Sequence, residues 1–250
     1  MVRDSAGEVL PFSQLGGILI GARALRLHGI SWPLTLASTI VDVTTELTAQ
    51  ITYIAMGIAT AALLLDRTSA NTPLIATVTA ALGFAVCCAA AFFFLQKRGF
   101  ALAERLAVRF LPRAAAQAAE SQRWMETLHR SAPRLFASFC IHLSGWVVSA
   151  GGVWLALHLM GTPLSFANVV AIESLLCGIR SAAFAVPAAL GVQEAAYAFL
   201  GPLFGLPAET AIAISLLKRG RDIAMGIPIL LIWQGLEGGR LFGTKTENEP

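Results

Sequence analysis

Charge is what this sequence has least of. Only 13% of its residues are Asp, Glu, Lys or Arg, while 56% are hydrophobic. Mean hydropathy is +0.69. Soluble domains average roughly 25% charged residues. About half that share cannot cover a water-facing surface on a chain of 250 residues, so the composition is that of a polytopic membrane protein. A net charge of +3 is too small to imply a nucleic-acid partner. The four cysteines, Cys87, Cys88, Cys140 and Cys177, lie in apolar stretches and form no CxxC pair. They read as small packing residues, with little support for a disulfide framework or a thiolate metal site. His28, His129, His142 and His158 never share ligand spacing on one helix. No glycine-rich phosphate loop follows a strand, and no Ser-His-Asp order suggests itself. The expectation is no metal, no cofactor and no enzyme. The N-terminal "MVRDSAGEVLPFSQLGG" lacks a basic start followed by a clean apolar core, so it is not a secretory signal.

Long apolar runs are abundant. A bilayer core about 30 Å thick needs about 20 apolar residues per helix. Residues 32–65, 73–95, 134–160 and 163–186 each meet that length. Between the second and third lies the only long polar region, 96–134. It carries Lys97, Arg98, Arg105, Arg109, Arg113, Arg123, Arg130 and Arg134 against Glu104, Glu120 and Glu126. Loops rich in Lys and Arg stay in the cytoplasm, which also places Arg23 and Arg26 on that side. Ala103, Leu106, Ala107 and Phe110 recur at helical spacing and predict an amphipathic helix. It lies on the inner leaflet or forms a plain connector.

The pentapeptide "IAMGI" occurs at 54–58 and again at 223–227. Each copy follows a segment broken by Pro and Gly, with Pro11 answering to Pro187 and Pro33 to Pro207. Pro removes a backbone donor, and unsatisfied backbone in lipid is tolerated only where protein or a cavity receives it. Paired interrupted segments point to a transporter-like site. Loops dipping into the interface are the plainer reading. The expected architecture is an all-α polytopic membrane protein with about five to six spanning helices. Two re-entrant broken segments stand in an internal repeat. A single transmembrane domain covers 1–243, with halves at about 8–65 and 164–236, and a disordered tail follows at 244–250.

Charges inside apolar segments cost at least ~2.5 kcal/mol each at the bilayer centre. Asp42 and Glu46 share a helix face that Gln50 and Tyr53 continue. Ser215, Arg219 and Asp222 share another, Glu173 and Arg180 sit in the fourth run, and Glu194 in the second broken segment. Two readings stand. One is a buried ion network that sets helix register. The other is a cationic pocket for an anionic headgroup, because Arg donates two parallel hydrogen bonds to phosphate. "KRGR" either ends a span at the cytoplasmic face or lies within one long helix.

"VPAALGVQEAAYAFLGPLFGLPAETAIAISLLKRGRD" resembles the signature of the flippase-like membrane superfamily that includes the transmembrane domain of lysylphosphatidylglycerol synthases. The matching features are Pro187, Gly191, Glu194, Lys218 and Arg219. "LPFSQLGGILIGARALRLHGI" is similar to the early segment of the hopanoid-biosynthesis-associated branch. The resemblance implies an inner-membrane lipid translocator in a bacterium, with no aminoacyl-transferring domain expected. It also implies further helices before the first broken segment, so an N-terminally truncated copy is expected. Arg219, Lys218 and Arg180 would engage an anionic headgroup, and Glu194, Asp42 and Glu46 would pair with them. The alternative is a non-transporting scaffold for lipid-biosynthesis enzymes. A membrane enzyme using Asp42 and Glu46 ranks third.

Overall fold

The computed structural model describes residues 2–9, 13–64, 76, 112–183 and 186–243. Among these residues the chain is all helical. The helices are α1 Val2–Val9, α2 Ser13–Leu27, α3 Trp32–Leu64, α4 Pro112–His129, α5 Ala132–Leu159, α6 Phe166–Ala182, α7 Val192–Leu203 and α8 Ala208–Gly243. Apart from Ala76, the expected run 73–95, the amphipathic helix around 103–110 and the tail 244–250 lie outside the described residues.

Helix α3 carries many threonines, which ordinarily disfavour helix. Here Thr39, Thr44, Thr48, Thr52 and Thr60 each donate the hydroxyl to the carbonyl four residues back at 2.8–2.9 Å. The polar atom is satisfied inside the helix. At 33 residues α3 is about 50 Å long by the 1.5 Å rise, more than a bilayer core. Helices α3 and α5 are long and apolar enough to cross a membrane. Helix α6 buries every residue from Val169 to Cys177, as expected of a helix enclosed by others. Its N-cap Ser165 accepts from the Asn168 amide at 3.1 Å. It packs on α3, α5 and α7. Tyr53, Ile54, Leu157, Leu175, Leu176, Tyr197, Leu200, Leu206 and Ile214 form the core around it.

The second broken segment is a short 3-10 turn, Pro187–Ala189, followed by α7. Ala188 and Ala189 take φ of 50° and 48° there. Left-handed backbone costs an L-residue roughly 1–2 kcal/mol, so this turn is strained. Helix α7 then folds back on α8 through Gly205, at φ 86°. A Cβ on Gly201 would stand 2.7 Å from that of Ala211, so the hairpin closes only on glycine. Helix α8 is continuous from Ala208 to Gly243 with Pro228 inside. "KRGR" therefore lies within one long helix and does not end it.

A short helix, a left-handed glycine and a long helix also follow one another near the N-terminus. Helix α2 leads through Gly29, at φ 81°, into α3. The pentapeptide is the weaker marker of the repeat: Ile54 follows Gly29 by 25 residues, and Ile223 follows Gly205 by 18. The left-handed glycine between short and long helix sets the correspondence. The eight-residue α1 packs on α8, and α6 packs on α3. Each half's leading helix thus lies on the other half's long helix.

Candidate functional site

A cavity of about 220 Å³ opens between α3, α5, α6 and α8. Helix α6 presents Glu173, Cys177 and Arg180 to it. They are spaced i, i+4 and i+7, which keeps them on one face. Helix α8 brings Lys218, Arg221 and Asp222, and α3 and α5 bring Tyr53 and Trp146. Those two rings stack with centroids 6.0 Å apart.

Glu173 anchors the wall. Its carboxylate accepts from Lys218 Nζ at 2.5 Å and from the Tyr197 hydroxyl. The Lys218 and Glu173 side chains are only 9% and 6% exposed. The ammonium also lies 5.4 Å over the Tyr197 ring, a cation–π placement. Arg221 donates from Nε and Nη2 to Asp222 at 3.0 and 2.7 Å nearer the mouth. Among the described residues, three cations and two carboxylates line the space.

Arg219, next in sequence to Lys218, is not among the cavity residues. Its Nε donates to Glu194 at 2.8 Å and its Nη1 reaches the Ala188 carbonyl at 3.4 Å. Glu194 also accepts from the Gly191 amide at 2.9 Å and so caps its own helix. The Arg219–Glu194 pair therefore ties α8 to the strained turn before α7.

Asp42 and Glu46 form a third cluster. Arg3 donates to both, at 2.7 Å to Glu46. His142 Nε2 lies 3.0 Å from Asp42 Oδ1. The rest of their stripe points to α6, where Gln50 donates to Ser181 at 2.7 Å and to Cys177 Sγ at 3.3 Å. Of the expected pairing of Glu194, Asp42 and Glu46 with Arg219, Lys218 and Arg180, the Glu194–Arg219 pair is made, and the rest is corrected. Lys218 goes to Glu173, Arg219 to Glu194, and Asp42 and Glu46 both bond Arg3. The reason is register: Asp42 stands 13 residues past Gly29, and Lys218 stands 13 past Gly205. Equivalent positions of the two long helices thus carry opposite charges, and each finds its partner on the leading helix of its own half.

Of the sequence-derived site residues, Lys218 and Arg180 line the cavity. Glu173, Tyr53, Trp146, Arg221 and Asp222 were not in that set. The spacing of Glu173, Cys177 and Arg180 was the signal that pointed to the first of them. Among the described residues no group of three His, Cys, Asp or Glu side chains could hold a metal ion.

A family model described as "Lysylphosphatidylglycerol synthase TM region" matches residues 1–229. No curated protein and no solved structure matches the chain. With long apolar helices enclosing a charged cavity, and a match over most of its length, this chain belongs to the lysylphosphatidylglycerol synthase transmembrane-region family, a membrane family concerned with lipid.

Proposed function

We propose that this chain is a flippase-like lipid translocator of the bacterial inner membrane that moves lipids with anionic headgroups. One observation carries the reading: the cavity enclosed by apolar helices is lined by the cationic side chains of Arg180, Lys218 and Arg221. A charge facing hydrocarbon is costly, so a cationic lining is stable only with internal partners or a ligand. The activity is transport without covalent chemistry. Pro187–Gly191 and α7 act as a re-entrant element beside the path, with Arg219 and Glu194 holding it in place. A hopanoid setting, drawn from the N-terminal resemblance, and lipid-biosynthesis enzymes as partners are part of the same reading.

The test is translocation of labelled phosphatidylglycerol in liposomes holding the full chain. Wild type is expected to exceed protein-free liposomes, and Arg180→Gln to lose most of the excess. An uncharged hopanoid in a parallel arm is expected to move more slowly. Absence of translocation by protein that is folded in the same liposomes overturns the reading. Equal rates for wild type and Arg180→Gln would favour a scaffold.

A further inference from the structure

One histidine is placed unlike the others. His28, His129 and His158 each turn Nδ1 to the carbonyl four residues back, at 2.8–2.9 Å. His142 instead reaches from α5 to α3, with Nε2 3.0 Å from Asp42 Oδ1. A carboxylate only accepts, so Nε2 is the ring nitrogen that carries hydrogen. No hydrogen bond engages its Nδ1 among the described residues, and that lone pair is open to a proton.

The pair lies deep in two long apolar helices. Asp42 and His142 each stand ten residues past the helix starts at Trp32 and Ala132, about 15 Å by the helical rise. That is half the ~30 Å of a bilayer core. The Asp42 side chain is 45% exposed there and that of His142 20%. A charge facing hydrocarbon is costly, so a half-open carboxylate at that depth calls for water beside it. Water is also what brings a proton to Nδ1. Histidine and carboxylate partners inside a membrane commonly mark proton relays.

The surroundings tie the pair to the cavity. Arg3 on α1 donates to Asp42 and to Glu46. Helix α4 meets α5 through apolar Met125 and Leu128 near Leu135, two turns before His142. Glu173, Cys177 and Arg180 of α6, with Lys218, Arg221 and Asp222 of α8, face the cavity beside Trp146. Trp146 lies one turn beyond His142 on the same face of α5 and stacks on Tyr53 of α3. One turn before His142, Ser138 Oγ is 3.0 Å from Thr45 Oγ1. The His142–Asp42 bond therefore belongs to the α3–α5 seam that walls the cavity.

We propose that His142 and Asp42 form a proton-binding site that gates this seam. The proposal rests on the lipid-translocator reading and names its regulation. A proton from water adds to Nδ1, no other covalent bond changes, and release returns it to water. The Nε2–H bond to Asp42 then has a charge on both partners and is roughly twice as strong as with a neutral ring. The protonated state holds α3 and α5 together, and the neutral state lets them part.

The test is translocation of labelled phosphatidylglycerol by the full chain in liposomes, at about pH 5 and about pH 8, the same on both sides. Histidine is the side chain that ordinarily changes charge in this range, and a phosphodiester has no second ionisation within it. Wild type is expected to be about fivefold slower at the acidic end. His142→Gln keeps a donor for Asp42 but takes no proton, and is expected to be fast at both. His142→Lys carries a fixed charge and is expected to be slow at both. His129→Gln, the control, is expected to keep the wild-type profile. In parallel, NMR of histidine-labelled protein is expected to show the His142 ring gaining a proton at Nδ1 between the two conditions.

Equal wild-type rates at both ends, or the wild-type profile kept in His142→Gln, overturn the proton site and leave the translocator reading standing. A uniform loss of rate in His142→Gln with the pH ratio kept marks a structural hydrogen bond and overturns it too. No translocation at either end by folded protein overturns the translocator reading. The NMR then decides the site, which falls if the ring stays neutral at the acidic end.

Discussion

Replacing Lys218 by Met removes one charge from a pair whose side chains are 9% and 6% exposed. What remains is the Glu173 carboxylate in the core, with the Tyr197 hydroxyl as its other partner. Breaking a buried ion pair by deleting one member costs about 3–5 kcal/mol, because the other charge stays desolvated. Lys218→Met is expected at that level. Glu173→Gln is expected to cost less, because the ammonium retains its place over the Tyr197 ring, a contact worth roughly 0.5–2 kcal/mol. The double variant leaves no charge, and Gln can still accept from Tyr197, so it is expected within about 1 kcal/mol of wild type. Arg221→Gln is the internal control. Its ion pair is 46% and 21% exposed, and such pairs are worth about 0–1 kcal/mol. The assay is reversible denaturant unfolding in detergent, run on all four variants as a double-mutant cycle with the control. Additive single losses, or a Lys218→Met cost no greater than that of Arg221→Gln, would refute the reasoning.

The other predictions concern backbone and packing. Ala188→Gly relieves left-handed strain worth roughly 1–2 kcal/mol and should raise the unfolding midpoint by a few degrees, unlike the same change at Ala183 in ordinary backbone. Arg219→Gln releases both the Ala188 carbonyl and Glu194, so hydrogen exchange at residues 188–194 should quicken while that of α6 stays slow. A Cβ at Gly57 would land on the Ser174 hydroxyl and 2.5 Å from its Cβ. Gly57→Ala should therefore cost about 1–3 kcal/mol in thermal unfolding, and Ser174→Gly should restore most of it.

Local pattern carried much of this fold. Residue spacing along α3 foretold the stripe Asp42, Glu46, Gln50 and Tyr53; the first three find partners and Tyr53 lines the cavity. The sequence left open whether "KRGR" ends a span; the short flanking apolar lengths favoured the one continuous helix that is seen. What spacing along one helix does not encode is which helix it meets. Arg3 lies 39 residues from Asp42, and Arg23 lies 214 from its partner Glu237. Each pairing is made between different helices, α1 with α3 and α2 with α8. Tyr53 illustrates the same limit: its periodicity was visible, but that its buried hydroxyl makes no hydrogen bond among the described residues is a property of the packed wall. Paired Pro and Gly breaks were visible in the sequence, and a left-handed glycine, Gly29 or Gly205, precedes each of the long helices α3 and α8.

The partnership between α3 and α6 also sets a clock for assembly. Gln50 and Ser181 are 131 residues apart. At about 5–20 residues per second, a ribosome needs roughly 7–26 s to add that much chain. For that interval α3 has left the ribosome with its amide unmatched and its cavity face open. A newborn chain must therefore keep this helix within the insertion machinery, or shelter its polar stripe against other protein, until α6 arrives. Slowing synthesis between α3 and α6 should lengthen the exposure and favour quality-control proteolysis over assembly.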